Sequence, residues 1–169
     1  IDLLAPGDGL VTRDTVSGLD WLDLTFTIGV DPQDIWDGAL GLAGDGWRHA
    51  TTTEVCDLPG ALGTAPPTCP GAEYLDDYAG ALALDLLGIS IHRAQPYLDG
   101  TLYLDELWGV FDDGGAMNPD LIGLAELSVD THSTGWVNTF VGVYEDGGRI
   151  VSLSSDKGNF LVRPVPEPS

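Results

Sequence analysis

The segment FDDGGAMNPD, residues 111–120, groups oxygen-bearing side chains that together could bind a metal ion. They are Asp112, Asp113, Asn118 and Asp120. Carboxylate and carbonyl oxygens are the ligands that Ca²⁺ prefers, so the segment is a weak candidate site for that ion. Its spacing is not that of an EF-hand, because no DxDxDG with a later Glu is present. A plain turn with solvated acids is the other interpretation.

A second group of residues has the chemistry of carbohydrate binding. Aromatic rings stack on the apolar C–H groups of sugars, and nearby amides or carboxylates fix the hydroxyl groups. The residues of this type in the second half of the chain are Trp108, Trp136, Asn138 and Tyr144. The competing interpretation is that these side chains pack in the core.

The two cysteines, Cys56 and Cys69, flank a segment rich in Pro and Gly. An even count without a CxxC motif or a neighbouring His favours a disulfide over a metal site or a nucleophile. Closing such a loop stabilises a fold by roughly 3 kcal/mol in the chain-entropy model. A disulfide requires an oxidising compartment, so we expect a secreted protein. The chain starts at Ile1, which also favours a mature or trimmed secreted form.

Nothing in the sequence has the spacing of a catalytic centre. The histidines, His49, His92 and His132, form neither an HxH nor an HExxH motif. The serines lack the GxSxG elbow of a hydrolase nucleophile. Paired carboxylates are always available among 27 acidic residues, so they carry no information. We expect no enzymatic activity.

The length and the net charge of the chain limit the number of domains and the classes of function that it can have. The chain has 169 residues, which corresponds to one domain, and its 43% hydrophobic content is typical of a globular protein. Six basic and 27 acidic residues give a net charge of −21. This balance excludes most nucleic-acid binding, since phosphates must be neutralised by basic side chains. No run approaches the roughly 20 apolar residues of a membrane helix.

The first half of the chain carries short strands and then helices. Residues 1–30 are predicted as strands, with a hairpin at Ser17-Gly18. Asp31-Pro32 begins a helix in which Ile35, Trp36, Ala39 and Leu40 share a face and Gly44 is the stop. A short extended segment, GWRHA, follows. Thr51–Thr53 precede the next predicted helix, EVCDL, which has a Thr as its cap.

A third helix is predicted over residues 73–88, ending at Gly88. Its apolar face comprises Leu75, Tyr78, Ala79, Leu82 and Leu86. After residue 88 the pattern changes to period two. Five strands are predicted at residues 102–113, 121–132, 135–148, 149–155 and 159–165. Helices followed by strands indicate an α+β fold.

The last residues resemble a known sorting signal. Pro166-Glu167-Pro168 looks like the start of a PEP-CTERM signal, in which this motif precedes a membrane helix and a basic cluster. Proteins of that family are exported by Gram-negative bacteria that make exopolysaccharide, and an exosortase processes them. The resemblance implies a secreted or cell-surface location and an exosortase-type partner. The sequence ends before the membrane helix and the basic cluster of that signal, which fits either a truncated chain or a processed tail.

The body of the chain also resembles proteins of the PEP-CTERM group. The shared segments are GLDWLDL, GWRHATTTEV and GNFLVRPV. The same layout is similar to the lectin-like domain at the C-terminus of collagen-like bacterial adhesins. The matching positions are Gly18, Leu19, Trp21, Trp47, Arg48, Thr51, Val162 and Arg163. Ala50 replaces a Pro of that pattern, and Pro164 stands where those domains often have Cys.

This second resemblance implies a C-type-lectin-like fold, with two helices, a twisted antiparallel sheet and adjacent termini. Residues 1–163 would form this single domain, and residues 164–169 would begin the sorting tail. Trp21 and Trp47 would be core residues, with Arg48 and Arg163 paired to Asp residues across the packed termini. The Gln-Pro-Asp and Glu-Pro-Asn triplets of sugar-binding C-type lectins are absent, and residues 118–120, Asn-Pro-Asp, only partly match them.

Two functions from different classes follow as expectations. The first is a non-enzymatic extracellular structural protein of a biofilm matrix, able to assemble with copies of itself. Its apolar segments LIGLAELSV and TFVGVY would be partner surfaces if the fold leaves them uncovered. The second is a module that binds exopolysaccharide, with Ca²⁺ as its cofactor.

Overall fold

The structure, a computed structural model, describes residues 10–61, 71–75, 84, 86–88, 91–97, 100–112, 122–132, 137–144 and 157–165. The strands in these ranges are β1 (Val11–Asp14), β2 (Leu19–Leu22), β3 (Arg48–His49), β4 (Gly71–Leu75), β5 (Ile91–Tyr97), β6 (Gly100–Asp112), β7 (Ile122–His132), β8 (Val137–Tyr144), β9 (Gly158–Asn159) and β10 (Leu161–Pro164). The helices are α1 (Pro32–Trp36) and α2 (Thr52–Ala61), with 3-10 helices at Leu24–Thr27 and Ala39–Asp45.

The smaller sheet joins strands from both halves of the sequence. Its order is β1-β2-β10-β3, and every pairing is antiparallel. Trp21 of β2 pairs with Thr12 of β1 on one side and with Val162 of β10 on the other. The β1–β2 hairpin confirms the turn predicted at Ser17-Gly18. β10 therefore lies inside this sheet rather than at its edge.

The larger sheet is built from the strands that follow residue 70. Its order is β4-β8-β7-β6-β5, with antiparallel pairing throughout, and β9 pairs in parallel with the end of β6. The long strands β6 and β7 share 11 paired positions, from Leu102↔His132 to Asp112↔Ile122. Strands β6, β7, β8 and β10 were predicted from period-two patterns, and the structure confirms them.

The end of β6 connects the two sheets. The Phe160 N–H donates to the Val110 carbonyl (2.9 Å), and the Asp112 N–H donates to the Ala50 carbonyl (2.8 Å). Gly109 allows this approach, because a Cβ atom at this position would lie 2.5 Å from Leu24 Cδ2. β6 thus begins in the larger sheet and ends against the smaller one.

Two groups of buried side chains cover the faces of the smaller sheet. The first contains Trp21, Leu24, Ala50, Val55, Leu84, Leu87, Phe111, Phe160 and Val162. The second contains Val11, Leu22, Ile35, Leu42, Trp47 and Leu161. The alternation of side chains along β2 and β10 explains this division, since neighbouring residues point to opposite faces. Trp21 meets Phe160 edge to face, at 6.4 Å between ring centroids.

The first predicted helix is shorter than the sequence pattern suggested. α1 ends at Trp36, and Gly38 follows with a left-handed φ of 91°. Leu40 also has a positive φ (62°) and is 55% exposed. The shared face predicted for Ala39 and Leu40 is therefore wrong. The start of the helix was right: the Asp31 carboxylate accepts from the Gln33 N–H (2.8 Å), with Pro32 at the first helical position.

Two other boundaries differ from the prediction. Residues 24–27 form a 3-10 helix rather than a strand, because the Asp23 carboxylate accepts the Thr25 N–H (2.7 Å) and caps a turn. Residues 71–75 form β4, so the predicted helix over residues 73–88 is wrong at its start. Its end at Gly88 is confirmed by the Gly88 N–H, which donates to Leu84 O (3.0 Å).

The described residues show a mixed α+β fold rich in antiparallel sheet, as the order of helices and strands predicted. The strand predicted at residues 149–155 lies outside the described residues. Within the described ranges, no helix has the length and hydropathy needed to cross a membrane.

Candidate functional site

A buried carboxylate holds three strands of the smaller sheet together. Asp20 of β2 is fully buried and accepts from Arg13 Nε of β1 (2.8 Å). Arg163 Nε of β10 approaches the other oxygen of Asp20 (3.4 Å). The Arg163 guanidinium also lies over the Trp47 ring, 4.6 Å from its centroid. Residues 143 positions apart are thereby joined. The predicted pairing of Arg163 with an Asp across the ends of the domain is confirmed.

The other arginine in the predicted pairing has a different partner. Arg48 of β3 forms a two-pronged ion pair with Glu54 of α2, at 2.8 and 2.6 Å. Glu54 also accepts from the Thr51 N–H (2.8 Å), and Thr51 Oγ1 accepts from the Glu54 N–H (3.3 Å). This reciprocal arrangement is a capping box, so Thr51 is the Thr cap expected for the helix. Burial acts to raise the pKa of Glu54, but the bonds from Arg48 and Thr51 lower it overall.

His49 links β3, α1 and β9. It is 4% exposed, and its Nε2 lies 3.0 Å from Asn159 Oδ1. The Asn159 amide donates through Nδ2 to the Val30 carbonyl (3.0 Å), which fixes Oδ1 as the acceptor. Neutral His49 therefore carries its proton on Nε2. The Trp36 ring packs against the imidazole, with 4.9 Å between the ring centroids. His49 thus acts in packing and hydrogen bonding.

Burial determines how His49 responds to acid. Burial lowers the pKa of His49 below its ordinary value of 6.5, against smaller opposing effects of the Asn159 hydrogen bond and the Asp112 charge. Nδ1 has no hydrogen-bond partner in the described structure, so a proton added there is not stabilised by one. Protonation of His49 therefore favours the unfolded chain.

We expect the free energy of unfolding to fall as the pH drops below about 6.5, because the unfolded chain then binds the proton more readily than the folded one. The slope from this one group is at most about 1.4 kcal/mol per pH unit. Urea unfolding between pH 7.5 and 5 measures it. His49→Gln should flatten the profile. An unaltered slope in His49→Gln would contradict the assignment.

The larger sheet presents an open edge at β5. The five residues His92–Pro96 are all exposed, and within the described strands β5 pairs with β6 alone. His92 Nδ1 contacts the Asp105 carboxylate across this pair. The apolar segments expected as partner surfaces lie instead in β7 and β8, which have neighbouring strands on both sides. Their edges are therefore occupied, whereas β5, hereafter the β5 edge, stands at one end of this sheet among the described strands, and the side chains of His92–Pro96 are exposed.

The predicted carbohydrate residues fall partly on one sheet face. Trp108 of β6 pairs with Glu126 of β7, which pairs with Gly142 of β8. Asn138 and Tyr144 lie four and two residues from Gly142 along β8. Residues separated by an even number along a strand share a face, so the register puts Trp108, Asn138 and Tyr144 on the same one. Trp136 lies outside the described residues.

Most of the remaining predicted site residues lie outside the described residues. Asp112 ends β6, while Asp113, Asn118 and Asp120 lie outside the described residues. Within the described ranges, no three His, Cys, Asp or Glu residues form a group that could hold a metal ion. Cys56 is disulfide-bonded, and Cys69 lies outside the described residues, as does the Pro166-Glu167-Pro168 motif.

Sequence reasoning missed the residues with the most specific contacts. Asp20 is one of 27 acidic residues, and nothing in its local sequence marks it as fully buried. The capping box had a usable signal, because Thr51 is followed three residues later by Glu54. The sequence around Asn159 carries no such signal, since its partners His49 and Val30 lie 110 and 129 positions away.

Comparisons with models of known protein families, with curated proteins and with solved structures found no match to this chain.

Proposed function

We propose that this protein is a non-enzymatic extracellular structural protein, exported by an exopolysaccharide-producing bacterium and able to assemble with copies of itself. The observation that carries the proposal is the β5 edge. Among the described strands β5 pairs with β6 alone, so its outer backbone groups are available for pairing with another chain. The described arginines with ion pairs, and the buried His49, stabilise the fold through internal contacts.

The PEP-CTERM assignment and the C-type-lectin-like fold are part of the same proposal. Support for the lectin-like topology comes from the smaller sheet, where β10 lies directly beside β2 of the first hairpin. Adjacent first and last strands are what that resemblance implies. Trp21 and Trp47, both buried, occupy two of the matched positions. Support for export comes from the disulfide-bonded Cys56 and the Pro-Glu-Pro motif.

A second candidate function is binding of exopolysaccharide. The observation that favours it is the register that puts Trp108, Asn138 and Tyr144 on one sheet face. Electrophoresis through polysaccharide-containing gels tests this function. Trp108→Ala should abolish retardation, whereas the matched control Phe26→Ala, at an exposed site of the 3-10 helix Leu24–Thr27, should not.

The proposed self-assembly predicts a mass that rises with protein concentration. Multi-angle light scattering on the purified chain, with Ca²⁺ and with chelator, measures it. Ca²⁺ should increase the mass, since it neutralises part of the net charge of −21. A monomeric mass at every concentration in both conditions would contradict self-assembly and leave carbohydrate binding as the function to test.

A further inference from the structure

We propose that the smaller sheet is a tension-bearing unit, which resists force applied along the chain through the segments before Leu10 and after Val165. Such force reaches the sheet through its strands nearest those segments, β1 and β10. The inference rests on the proposed structural role, because a protein of an extracellular matrix transmits force through its chain. It adds to that role the element of the fold that resists the force.

The directions of the strands determine how this force acts on their hydrogen bonds. β1 and β10 both pair antiparallel with β2, so they run parallel to each other with β2 between them. The register pairs Val11 with Leu22 and Pro164 with Leu19, which places the start of β1 and the end of β10 at opposite ends of β2. Pulling these two ends apart slides the strands past one another. Since the bonds of an antiparallel ladder are perpendicular to the strands, all of them resist sliding together.

Backbone hydrogen bonds extend both ladders to the points where the force enters the sheet. The Asp23 N–H donates to the carbonyl of Leu10, the residue before β1 (3.0 Å). The Val165 N–H donates to the carbonyl of Gly18, the residue before β2 (3.1 Å). Val165 itself directly follows β10. Each pulled strand is therefore bonded to the β2 segment from the first residue that receives the force.

One row of charged side chains crosses both of the loaded ladders. Arg13, Asp20 and Arg163 are paired positions of β1, β2 and β10. Arg13 Nε lies 2.8 Å and Arg163 Nε 3.4 Å from oxygens of the buried Asp20 carboxylate. Sliding an outer strand by one residue turns its side chains to the other face of the sheet, which separates that guanidinium from the carboxylate. The ion pairs therefore oppose sliding in both ladders.

The loaded ladders are screened from water. Trp21 of β2 is 1% exposed, and Leu161 and Val162 of β10 are fully buried. A backbone bond in such surroundings is stronger than one in water, and water is slow to replace it when the strands begin to separate. The larger sheet lies between β2 and β10 in the sequence, so it receives the force only after the smaller sheet has parted.

Two pulling directions in optical tweezers test the inference. Force through both chain ends slides the strands. Force through Val16 and the end after β10 instead peels β10 from β2, because the β1–β2 turn lies at the same end of the sheet as Pro164. Val16 is 81% exposed, so a handle there leaves the fold intact. At equal force, the folded state should last at least about tenfold longer when both chain ends are pulled, since several bonds must then break together. Equal lifetimes in the two directions would overturn the inference.

Asp20→Asn tests the charged row separately. It should shorten the lifetime under force through both chain ends by about tenfold, because the charge-assisted bonds across both ladders are lost. Glu54→Gln is the matched control, since it makes the same chemical change in the Arg48 ion pair of β3 and α2, outside the path from β1 through β2 to β10. An Asp20→Asn lifetime no shorter than that of Glu54→Gln would overturn the role of the row.

These outcomes are separate from those of light scattering. A monomer at every concentration that still lasts longer under sliding than under peeling would contradict self-assembly alone. A mass that rises with concentration, together with equal lifetimes in the two directions, would overturn the tension-bearing unit alone.

Discussion

Asp20→Asn is expected to lower the free energy of unfolding by roughly 1–3 kcal/mol, because the buried carboxylate loses its charge-assisted hydrogen bonds while both arginines keep access to water. The Asp20 carboxylate is fully buried between Arg13 and Arg163, and the variant removes its charge while keeping its shape. Both guanidinium groups then lose their counter-charge at the centre of the smaller sheet. Urea unfolding at pH 7 measures the loss, which corresponds to a fall in Tm on the order of 5 °C.

Asp34→Asn is the matched control for this experiment. Asp34 lies exposed on α1, so the same chemical change should alter stability by less than about 0.5 kcal/mol. An Asp20→Asn variant as stable as the control would mean that the two arginines do not depend on this carboxylate. The ion pairs would then contribute no more than surface pairs do.

The sequence predicted the local structure well where the signal lies within a few residues. Asp31-Pro32 marks the start of α1, and Ser17-Gly18 marks the first hairpin, because capping and turn chemistry depend on neighbouring residues. The alternation of apolar and polar residues identified β6, β7 and β8. The same local rules failed at residues 73–75, because so short a segment fits a helix or a strand equally well.

The sequence could not predict the contacts between distant segments. β10 inserts between β2 and β3, and the choice of these partners depends on packing that only the folded chain provides. Asp20 receives its two arginines through this insertion. The β5 edge was missed for a related reason. Apolar content singled out β7 and β8, whereas position in the sheet decides which strand is open.

Phe111→Ala is expected to destabilise the protein by about 3–5 kcal/mol, the usual cost of deleting a buried aromatic side chain. Phe111 belongs to β6 of the larger sheet, yet its fully buried side chain packs with Trp21, Leu24 and Phe160 of the smaller sheet's core. The cavity would therefore open where the two sheets meet. Chemical denaturation followed by tryptophan fluorescence measures the loss.

Tyr103→Ala on the same strand is the control, because Tyr103 is 40% exposed and lies far from this junction. It should cost less than about 1 kcal/mol. The comparison also tests whether the sheets unfold together. If β6 joins them into one cooperative unit, Phe111→Ala should shift a single transition that fluorescence and far-ultraviolet circular dichroism report alike. Separate transitions by the two probes would mean that the larger sheet, with its β5 edge, keeps its structure after the smaller sheet has unfolded.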